Sequence, residues 1–413
     1  MKIRLRTLIS FLALFLFLLT GCGESAQQST APVTTIGDDP VAEILEIFET
    51  KNRFDRVENL VAILRSVPAE QIDVIPTVLD ELKLPLREFE RVLLVSAWAQ
   101  VDPEAATKWA MKRERIDILR STMFSETTYL WALKDPKSVR TDMDVAMAAL
   151  RGWDPIMLRG FVRGWFDSGE PELEAFIRDM GRNGDDRQRA MSELIRVKFE
   201  TETPEAMIAW ATAIEGEPRY RAYVYSRLAA DIANENPEIA IAWCAEVCNS
   251  QVGEDMPHWI ASSWVRKGGV EAMDWIISQP DSVSTSIGIR STFRRFQLTF
   301  PEESDIWLDK YSEEERVSER FQGPVIMHVK RQANLARMDV ALTWSKYIQN
   351  DWERERSLTA LARTWLQIDE EAAEAWLSET TELGDATKTE LLAARKAAKE
   401  KAEKRRAKRE ARS

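Results

Sequence analysis

Residues 199–210 read FETETPEAMIAW and show a pattern that recurs along most of the chain. Thr203 is suited to cap a helix, because its hydroxyl accepts a hydrogen bond from a free N–H group in the first turn. Pro204 fits the first helical position, where no N–H partner is lost, and Glu205 complements the positive end of the helix. One helix must therefore end before Thr203, and the next must begin at Pro204.

The same turn returns at a near-constant interval. Asp102-Pro103-Glu104 and Asn236-Pro237-Glu238 repeat the capping residue, the proline and the acid, and Asp369-Glu370-Glu371 keeps the cap and the charge without the proline. Successive units are about 33 residues apart, a period that is typical of stacked helical repeats.

Two aromatic-rich positions flank each turn and lie eleven residues apart. The first position, at the end of a helix, holds Trp98, Trp131, Trp165, Phe199, Ile232, Trp264, Phe296, Ala333 and Trp365. The second position, inside the next helix, holds Trp109, Asp142, Phe176, Trp210, Trp243, Trp275, Trp307, Trp344 and Trp376. Tryptophan fills five of the nine first positions and seven of the nine second positions, although the whole chain contains only 15. These tryptophans are therefore expected to form the core of the repeats.

The pattern predicts an all-α fold, a right-handed α-solenoid of about nine helical hairpins. One hairpin should consist of a first helix at Pro204–Ile214 and a second helix at Arg219–Ala233, whose apolar residues recur at three- and four-residue steps. Residues 101–384 hold the repeats, and residues 41–100 form an N-terminal helical cap. Residues 385–413 form a basic tail, either helical or disordered.

The repeated unit resembles a tetratricopeptide repeat over about residues 100–380. The resemblance rests on the unit length, on the Asp-Pro before the first helix and on the tryptophan six residues later, as in Pro103 and Trp109. It departs where that family carries Gly and Tyr, because Ala211 to Ile214 follow Trp210. The pattern is also similar to Trp-rich repeats in envelope-associated bacterial proteins. Both resemblances imply a helical-hairpin fold, and neither supplies residues for a function.

Residues 1–21 have a basic start and an apolar stretch, Leu8–Leu19, which is too short to span a bilayer and has the length of a signal-peptide core. The stretch ends in Leu19-Thr20-Gly21-Cys22, which resembles the lipobox of bacterial lipoproteins. This resemblance implies cleavage before Cys22 and attachment of a diacylglycerol to its sulfur, usually with a third acyl chain. An ordinary signal peptide with an incidental cysteine is the alternative.

Residues 22–40 are then a lipidated, flexible tether, rich in Ser, Thr and Gln. Gly23 follows the cysteine, where Asp in Gram-negative lipoproteins tends to mark retention in the inner membrane. The resemblance therefore favours the outer membrane as the location in the cell envelope.

The charge is unevenly distributed. The chain carries a net charge of −12, but residues 388–413 carry 11 Lys and Arg and 4 Glu, which leaves the folded body strongly acidic. An acidic body does not favour nucleic acid. The tail is expected to be a solvated arm or to meet an anionic partner: lipid headgroups, lipopolysaccharide, an acidic polymer or the acidic body of another copy.

Few residues point to chemistry. His258 and His328 are about 70 residues apart and do not make a metal site by spacing, so packing or surface roles are expected. No nucleophile, phosphate-binding or dinucleotide motif is found in the sequence, and no cofactor is indicated. Asp142 interrupts the tryptophan pattern as part of Asp142-Met143-Asp144, which is either a local irregularity or a cation site.

Two cysteines, Cys244 and Cys248, lie four residues apart on one predicted helix. An exported protein meets oxidising conditions, but a helical pair at this spacing is near the far edge of the disulfide distance window and badly oriented. Two unpaired, partly buried thiols are therefore predicted.

Arg219, Tyr220, Arg221 and Tyr223 form the candidate binding surface, because Tyr and Arg are enriched at interface hot spots. Filling of the groove between repeats is the alternative for both tyrosines. The 37-residue step between Trp307 and Trp344, with Gln322-Gly323-Pro324 at its centre, either adds a loop or kinks a helix.

These patterns favour a membrane-anchored envelope lipoprotein that acts as a non-catalytic scaffold and binds an envelope protein or peptide. The alternative is an envelope enzyme or glycan-binding protein with carboxylates and aromatics in the concave face of the solenoid. A third hypothesis is assembly between the acidic body of one copy and the basic tail of another.

Overall fold

A computed structural model describes residues 37, 39–82, 88–112, 117–148, 154–180 and 184–410. Every regular element in these ranges is a helix, which confirms the predicted all-α class. The proposed signal segment and most of the tether, residues 1–36, lie outside the described residues. Within the described part of the chain, no helix combines the length and the apolar character that crossing a bilayer requires.

The chain divides into two compact units, Met1–Lys134 and Asp135–Ser413. The helices of the first unit are α1 (Pro40–Ile47), α2 (Arg53–Ser66), a 3₁₀ turn (Ala69–Gln71), α3 (Val74–Glu81), α4 (Glu88–Val101), α5 (Pro103–Lys112) and α6 (Asp117–Lys134). Those of the second unit as far as residue 278 are α7 (Pro136–Ala148), α8 (Pro155–Ser168), α9 (Leu173–Asp179), α10 (Gly184–Phe199), α11 (Pro204–Ala213), α12 (Pro218–Glu235), α13 (Pro237–Val247), α14 (Met256–Trp264) and α15 (Gly269–Ser278). The remaining helices are α16 (Val283–Thr299), α17 (Pro301–Asp309), α18 (Glu313–Arg316), α19 (Glu319–Asn334), α20 (Met338–Ser345), α21 (Asp351–Ile368), α22 (Glu370–Glu379) and α23 (Asp385–Glu410).

The first unit has its own core and includes the first predicted repeat. Trp98 on α4 and Met123 on α6 are buried in the same cluster as Leu60 on α2, and Trp109 on α5 packs against it. The observed boundary at Lys134 therefore lies beyond the predicted end of the cap at residue 100.

Helix pairs in the second unit alternate as the sequence predicts. The hairpin predicted at 204–233 is formed by α11 and α12, whose bounds differ from the prediction by one or two residues. Successive second helices of these hairpins, α8, α10, α12, α14, α16, α19 and α21, contact one another in order along this unit. Stacking of neighbours buries a continuous core, since each hairpin cannot bury its apolar face alone.

Capping occurs at three of the four turns that the sequence pattern singles out, since Asp102 also caps its helix. Thr203 Oγ1 accepts from the Ala206 N–H at 3.3 Å, and Asp369 Oδ1 accepts from the Ala372 N–H at 3.1 Å. Asn236 is an exception, because its side chain accepts no hydrogen bond from α13. The proline and the acid of that turn are nevertheless at the predicted helix start.

The two aromatic positions of the sequence pattern meet across the turns, as their spacing predicts. Ring centroids lie within contact distance in the pairs Trp98–Trp109 (6.2 Å), Trp165–Phe176 (5.3 Å), Trp264–Trp275 (6.4 Å), Phe296–Trp307 (6.4 Å) and Trp365–Trp376 (5.8 Å). Aromatic pairs at these separations contribute beyond their buried area. The tryptophan pattern is therefore a structural feature that links the last turn of one helix to the middle of the next.

The 37-residue interval between Trp307 and Trp344, which is longer than the usual repeat, contains the additional short helix α18. Ser312 caps it, and Glu315 reaches back to the Ser312 N–H at 2.8 Å, which forms a capping box. Pro324 lies inside α19 rather than in a loop. The side chain of Gln322 donates to the Tyr347 carbonyl at 3.1 Å and so ties α19 to the end of α20.

The prediction of two unpaired thiols is wrong, because Cys244 and Cys248 form a disulfide. Their Cα atoms are 4.8 Å apart, well inside the range that a disulfide bridges. Cys248 follows the last residue of α13 and caps it. The Cys248 N–H still donates to the Cys244 carbonyl at 2.8 Å, so the spacing remains helical, but the two Cα atoms are closer than the prediction assumed.

The basic tail is helical in its described part. Leu391 is buried at the start of α23, and Arg395 lies 3.3 Å from Glu370 on α22. A hydrogen bond from Lys399 lowers the pKa of Glu370 below its ordinary value, and the positive charge of Arg395 adds to this shift. After Arg395 the side chains that the structure describes are exposed.

Candidate functional site

The second helices of the hairpins in the second unit line two open grooves. The first, called the C-terminal groove, has a volume of about 410 Å³ and lies between α16, α19 and α21. The second, called the arginine groove, has a volume of about 1000 Å³ and lies between α8, α10 and α12. Both volumes fall in the range of ligand sites.

Apolar side chains form much of the C-terminal groove. Ile326 and Met327 come from α19, and Ala360 and Leu361 come from α21. At Gly323, an added Cβ would lie 3.2 Å from the Cβ of Arg290, so glycine allows α19 to approach α16 closely. Three consecutive repeats thus contribute to one surface.

Cations surround this apolar surface. Arg290 and Lys330 are exposed, and no ion pair joins either of them to a described carboxylate. Arg356 lies over the ring of Trp352, 5.2 Å from its centroid, and Glu353 is the acid of the groove. Because the body as a whole is acidic, this is a local excess of positive charge beside apolar surface.

Exposed apolar residues extend the C-terminal groove along α16. Ile287 precedes Arg290 by about one turn and is 53% exposed, and Val283 one turn earlier is 79% exposed. On an α-helix, positions three and four apart share a face. Exposed apolar surface that continues a groove is typical of a protein-binding site.

The arginine groove has a different character. Arg159 and Arg163 on α8, Arg189 and Arg196 on α10 and Arg227 on α12 all line it. Its apolar lining is limited to Pro155 and Leu158 at one end. The hydroxyl of Tyr223 also faces this groove.

Carboxylates hold these arginines in position. Arg163 pairs with Glu200 at 2.7 Å, and Arg196 bridges Glu200 at 2.7 Å and Glu193 at 3.0 Å. Arg159 lies 3.7 Å from the same Glu193. The hydrogen bond with Glu193 is the main reason that the pKa of Arg196 is raised. Ion pairs between arginines and glutamates therefore connect α8 to α10.

The four residues of the predicted binding surface do not share one surface. Arg219 is exposed, Arg221 is half-buried against the ring of Tyr225, and Tyr223 lines the arginine groove. The Tyr223 hydroxyl donates to the Gln188 carbonyl at 2.9 Å and lies 2.7 Å from the Ser192 hydroxyl.

Tyr220 does not lie on the surface but fills space inside the protein, as the alternative for the two tyrosines expects, because its side chain is only 4% exposed. The turn before α12 covers it: Gly216 has a φ of +136°, and its backbone lies against the Tyr220 ring. Burial raises the pKa of Tyr220 to about 12. The guanidinium of Arg187 covers the ring at 5.5 Å.

Tyr220 instead lines a smaller cavity of about 240 Å³ with Trp210, Glu174 and Glu215. The indole N–H of Trp210 donates to Glu174 at 2.8 Å, and Lys198 covers the ring at 5.0 Å. Carboxylates and aromatic rings come together here, but Trp210 and Glu174 are already paired with each other, and Lys198 covers one face of the indole.

The two histidines lie on different helices, α14 and α19. His258 stacks on Trp259 at 5.0 Å. His328 is buried beside Asp305, with Nδ1 3.1 Å from a carboxylate oxygen, and burial lowers its pKa while Asp305 opposes that shift. Both are packed as the sequence suggests.

Among the described residues, no three His, Cys, Asp or Glu side chains are arranged to hold a metal ion. Asp142 lies in α7, and the side chains of Met143 and Asp144 lie outside the described residues. The structure therefore adds nothing to the hypothesis of a cation site at this position.

Sequence reasoning did not identify the groove residues. Arg159 and Arg163, and likewise Arg189 and Arg196, repeat at one-turn and two-turn steps within second helices. This spacing places each pair on one helix face. Basic residues at helical spacing within one second helix are therefore the only signal that the sequence offers for them.

Comparison with protein families, with curated proteins and with solved structures finds no match for this chain.

Proposed function

We propose that this chain is a lipid-anchored protein of the bacterial cell envelope that binds another protein or peptide in the C-terminal groove, without catalysis of its own. The anchor is Cys22, and the outer membrane is favoured over the inner membrane. Nucleic acid is not an expected partner, and no cofactor is part of the proposal.

The binding proposal rests on one observation in the C-terminal groove. Apolar side chains line much of it, and Arg290 and Lys330 beside them form no ion pair with a described carboxylate. Apolar surface supplies most of the free energy of protein association, and aromatic or aliphatic anchors in such grooves form hot spots. Arg290 and Lys330 then select partners by charge. The fitting partner is a segment with apolar anchors beside acidic side chains.

A glycan-binding or enzymatic role is supported less well. The cavity at Trp210 is where aromatic and carboxylate groups converge, as such a role requires. However, Trp210 donates to Glu174, and Lys198 lies over its ring. A sugar would have to displace both contacts before it could stack on the indole.

The binding proposal predicts that reversing two groove charges removes the partner. The variant is Arg290→Glu with Lys330→Glu, which should reduce capture of the partner from envelope extract by the immobilised full-length chain by at least about tenfold, because each reversal replaces an attraction with a repulsion. Quantitative mass spectrometry of the captured proteins is the measurement.

The matched control is Lys267→Glu with Lys310→Glu, two exposed lysines outside the groove that give the same change in net charge. This control should retain the partner. Equal capture by wild type and by the groove variant, or equal loss in both variants, would contradict a binding site at the groove.

A further inference from the structure

We propose that the arginine groove binds a ligand that carries two or more phosphate groups. This site is separate from the C-terminal groove, and it does not depend on the function proposed there. The arginines of this groove and the carboxylates that pair with them are buried to different degrees.

Two of the carboxylates that pair with these arginines from α10 are more buried than the arginines themselves. The side chains of Glu193 and Asp186 are 9% and 10% exposed, whereas those of Arg159, Arg196 and Arg189 are 64%, 43% and 48% exposed. Solvent in the groove therefore meets guanidinium groups that more buried carboxylates hold in place. Glu200, Asp185 and Asp231 pair with the same set of arginines, so the five arginines of the groove are matched by five described carboxylates.

Several guanidinium groups retain donors for a ligand. Arg227 contacts Asp231 through Nε at 3.1 Å, and no described acceptor pairs with its two terminal nitrogens. Arg163 contacts Glu200 through one terminal nitrogen. Since a guanidinium has five N–H donors in a planar fork, most donors of these two side chains have no acceptor among the described residues.

The geometry favours phosphate over carboxylate. A phosphate presents three strong acceptor oxygens and carries more negative charge than a carboxylate, which has two oxygens and a single charge. One phosphate can therefore join arginines from neighbouring helices. The volume of about 1000 Å³ accommodates several such groups, and the scarcity of apolar lining argues against a protein partner in this groove.

The test is calorimetric titration of the purified full-length chain, in nonionic detergent, with tripolyphosphate. Arg159→Gln with Arg163→Gln should weaken binding by at least about tenfold, because two charge-assisted contacts are lost. Glu193 and Glu200 both keep Arg196 in this variant, so no buried carboxylate is left alone. Lys267→Gln with Lys310→Gln, which has the same change in charge, should bind as wild type does.

A second variant separates a folding defect from a binding defect. Arg159→Lys with Arg163→Lys keeps the charges and loses the planar fork, so tripolyphosphate binding should be intermediate. Circular dichroism should give the same melting temperature for all variants within about 2 °C.

Two further ligands complete the test. Citrate, with three carboxylates, should bind at least about tenfold more weakly than tripolyphosphate. Dioctanoylglycerol pyrophosphate, a short-chain lipid that carries two phosphates, distinguishes the source. Arginine-dependent binding of this lipid would indicate a headgroup, and its failure beside bound tripolyphosphate would indicate a free polyphosphate. Absence of tripolyphosphate binding, equal affinity for citrate, or equal affinity in the glutamine and control variants would overturn the proposal.

Discussion

Replacing Trp307 by alanine is expected to lower the free energy of unfolding by about 3–5 kcal/mol, the range for removing a large buried aromatic residue. Trp307 is fully buried. Its ring lies 5.8 Å from Phe293 on α16, 4.9 Å from Tyr311 in the turn after α17 and 5.8 Å from Phe321 on α19, so two neighbouring helices and this turn lose a shared contact.

Most of this loss in the free energy of unfolding comes from the cavity that the indole of Trp307 leaves, rather than from the lost hydrogen bond of its N–H group. The indole N–H donates to Asp274 at 2.7 Å, but Asp274 is exposed and also accepts from the Tyr311 hydroxyl at 3.3 Å. Water can therefore satisfy the carboxylate in the variant. No such compensation exists for the apolar volume.

Urea unfolding followed by circular dichroism at 222 nm measures this effect. Trp352→Ala is the matched control, because the same residue type is removed from α21 where the side chain is 63% exposed. Trp352→Ala should lower the free energy of unfolding by less than about 1 kcal/mol. Similar midpoints for both variants would show that the tryptophan pattern does not carry the packing of the repeats.

The second large effect is the loss of lipid attachment when Cys22 is replaced. In a bacterial host fed an alkyne analogue of palmitate, the wild-type chain is expected to be labelled and Cys22→Ala is expected to carry no label. The difference is all-or-none because the proposed acyl chains are attached at this residue. Two or more chains bind a membrane stably, since each buried CH₂ contributes about 0.8 kcal/mol.

The chain offers an internal control, since it contains only three cysteines. Cys244→Ala with Cys248→Ala removes the disulfide and should leave the label unchanged. Loss of the label in this double variant, or its persistence in Cys22→Ala, would contradict the lipoprotein assignment.

The repeat architecture is predictable from the sequence because its signals are local. Caps, first-turn prolines and tryptophans eleven residues apart act within one hairpin, and Trp264 and Trp275 meet at 6.4 Å as their spacing predicts. The bounds of α11 and α12 follow from the same rules.

The grooves are not predictable in this way, because they depend on contacts between residues far apart in the sequence. Arg163 meets Glu200 from a neighbouring repeat, 37 positions away. Tyr220 and Tyr223 share a predicted helix face, yet the turn at Gly216 covers one ring and leaves the other in the arginine groove. The disulfide was missed because the prediction assumed a larger separation for two helical cysteines four residues apart than the 4.8 Å between their Cα atoms.

Photocrosslinking from inside the C-terminal groove tests the proposed function most directly. Met327→p-benzoylphenylalanine places the photoreactive group in the groove, and Lys310→p-benzoylphenylalanine places it on an exposed site outside it. In intact cells, a discrete protein adduct should form from position 327 alone and should fall at least about fivefold when Arg290→Glu and Lys330→Glu are added. No adduct at position 327, or the same adduct from position 310, would contradict the account.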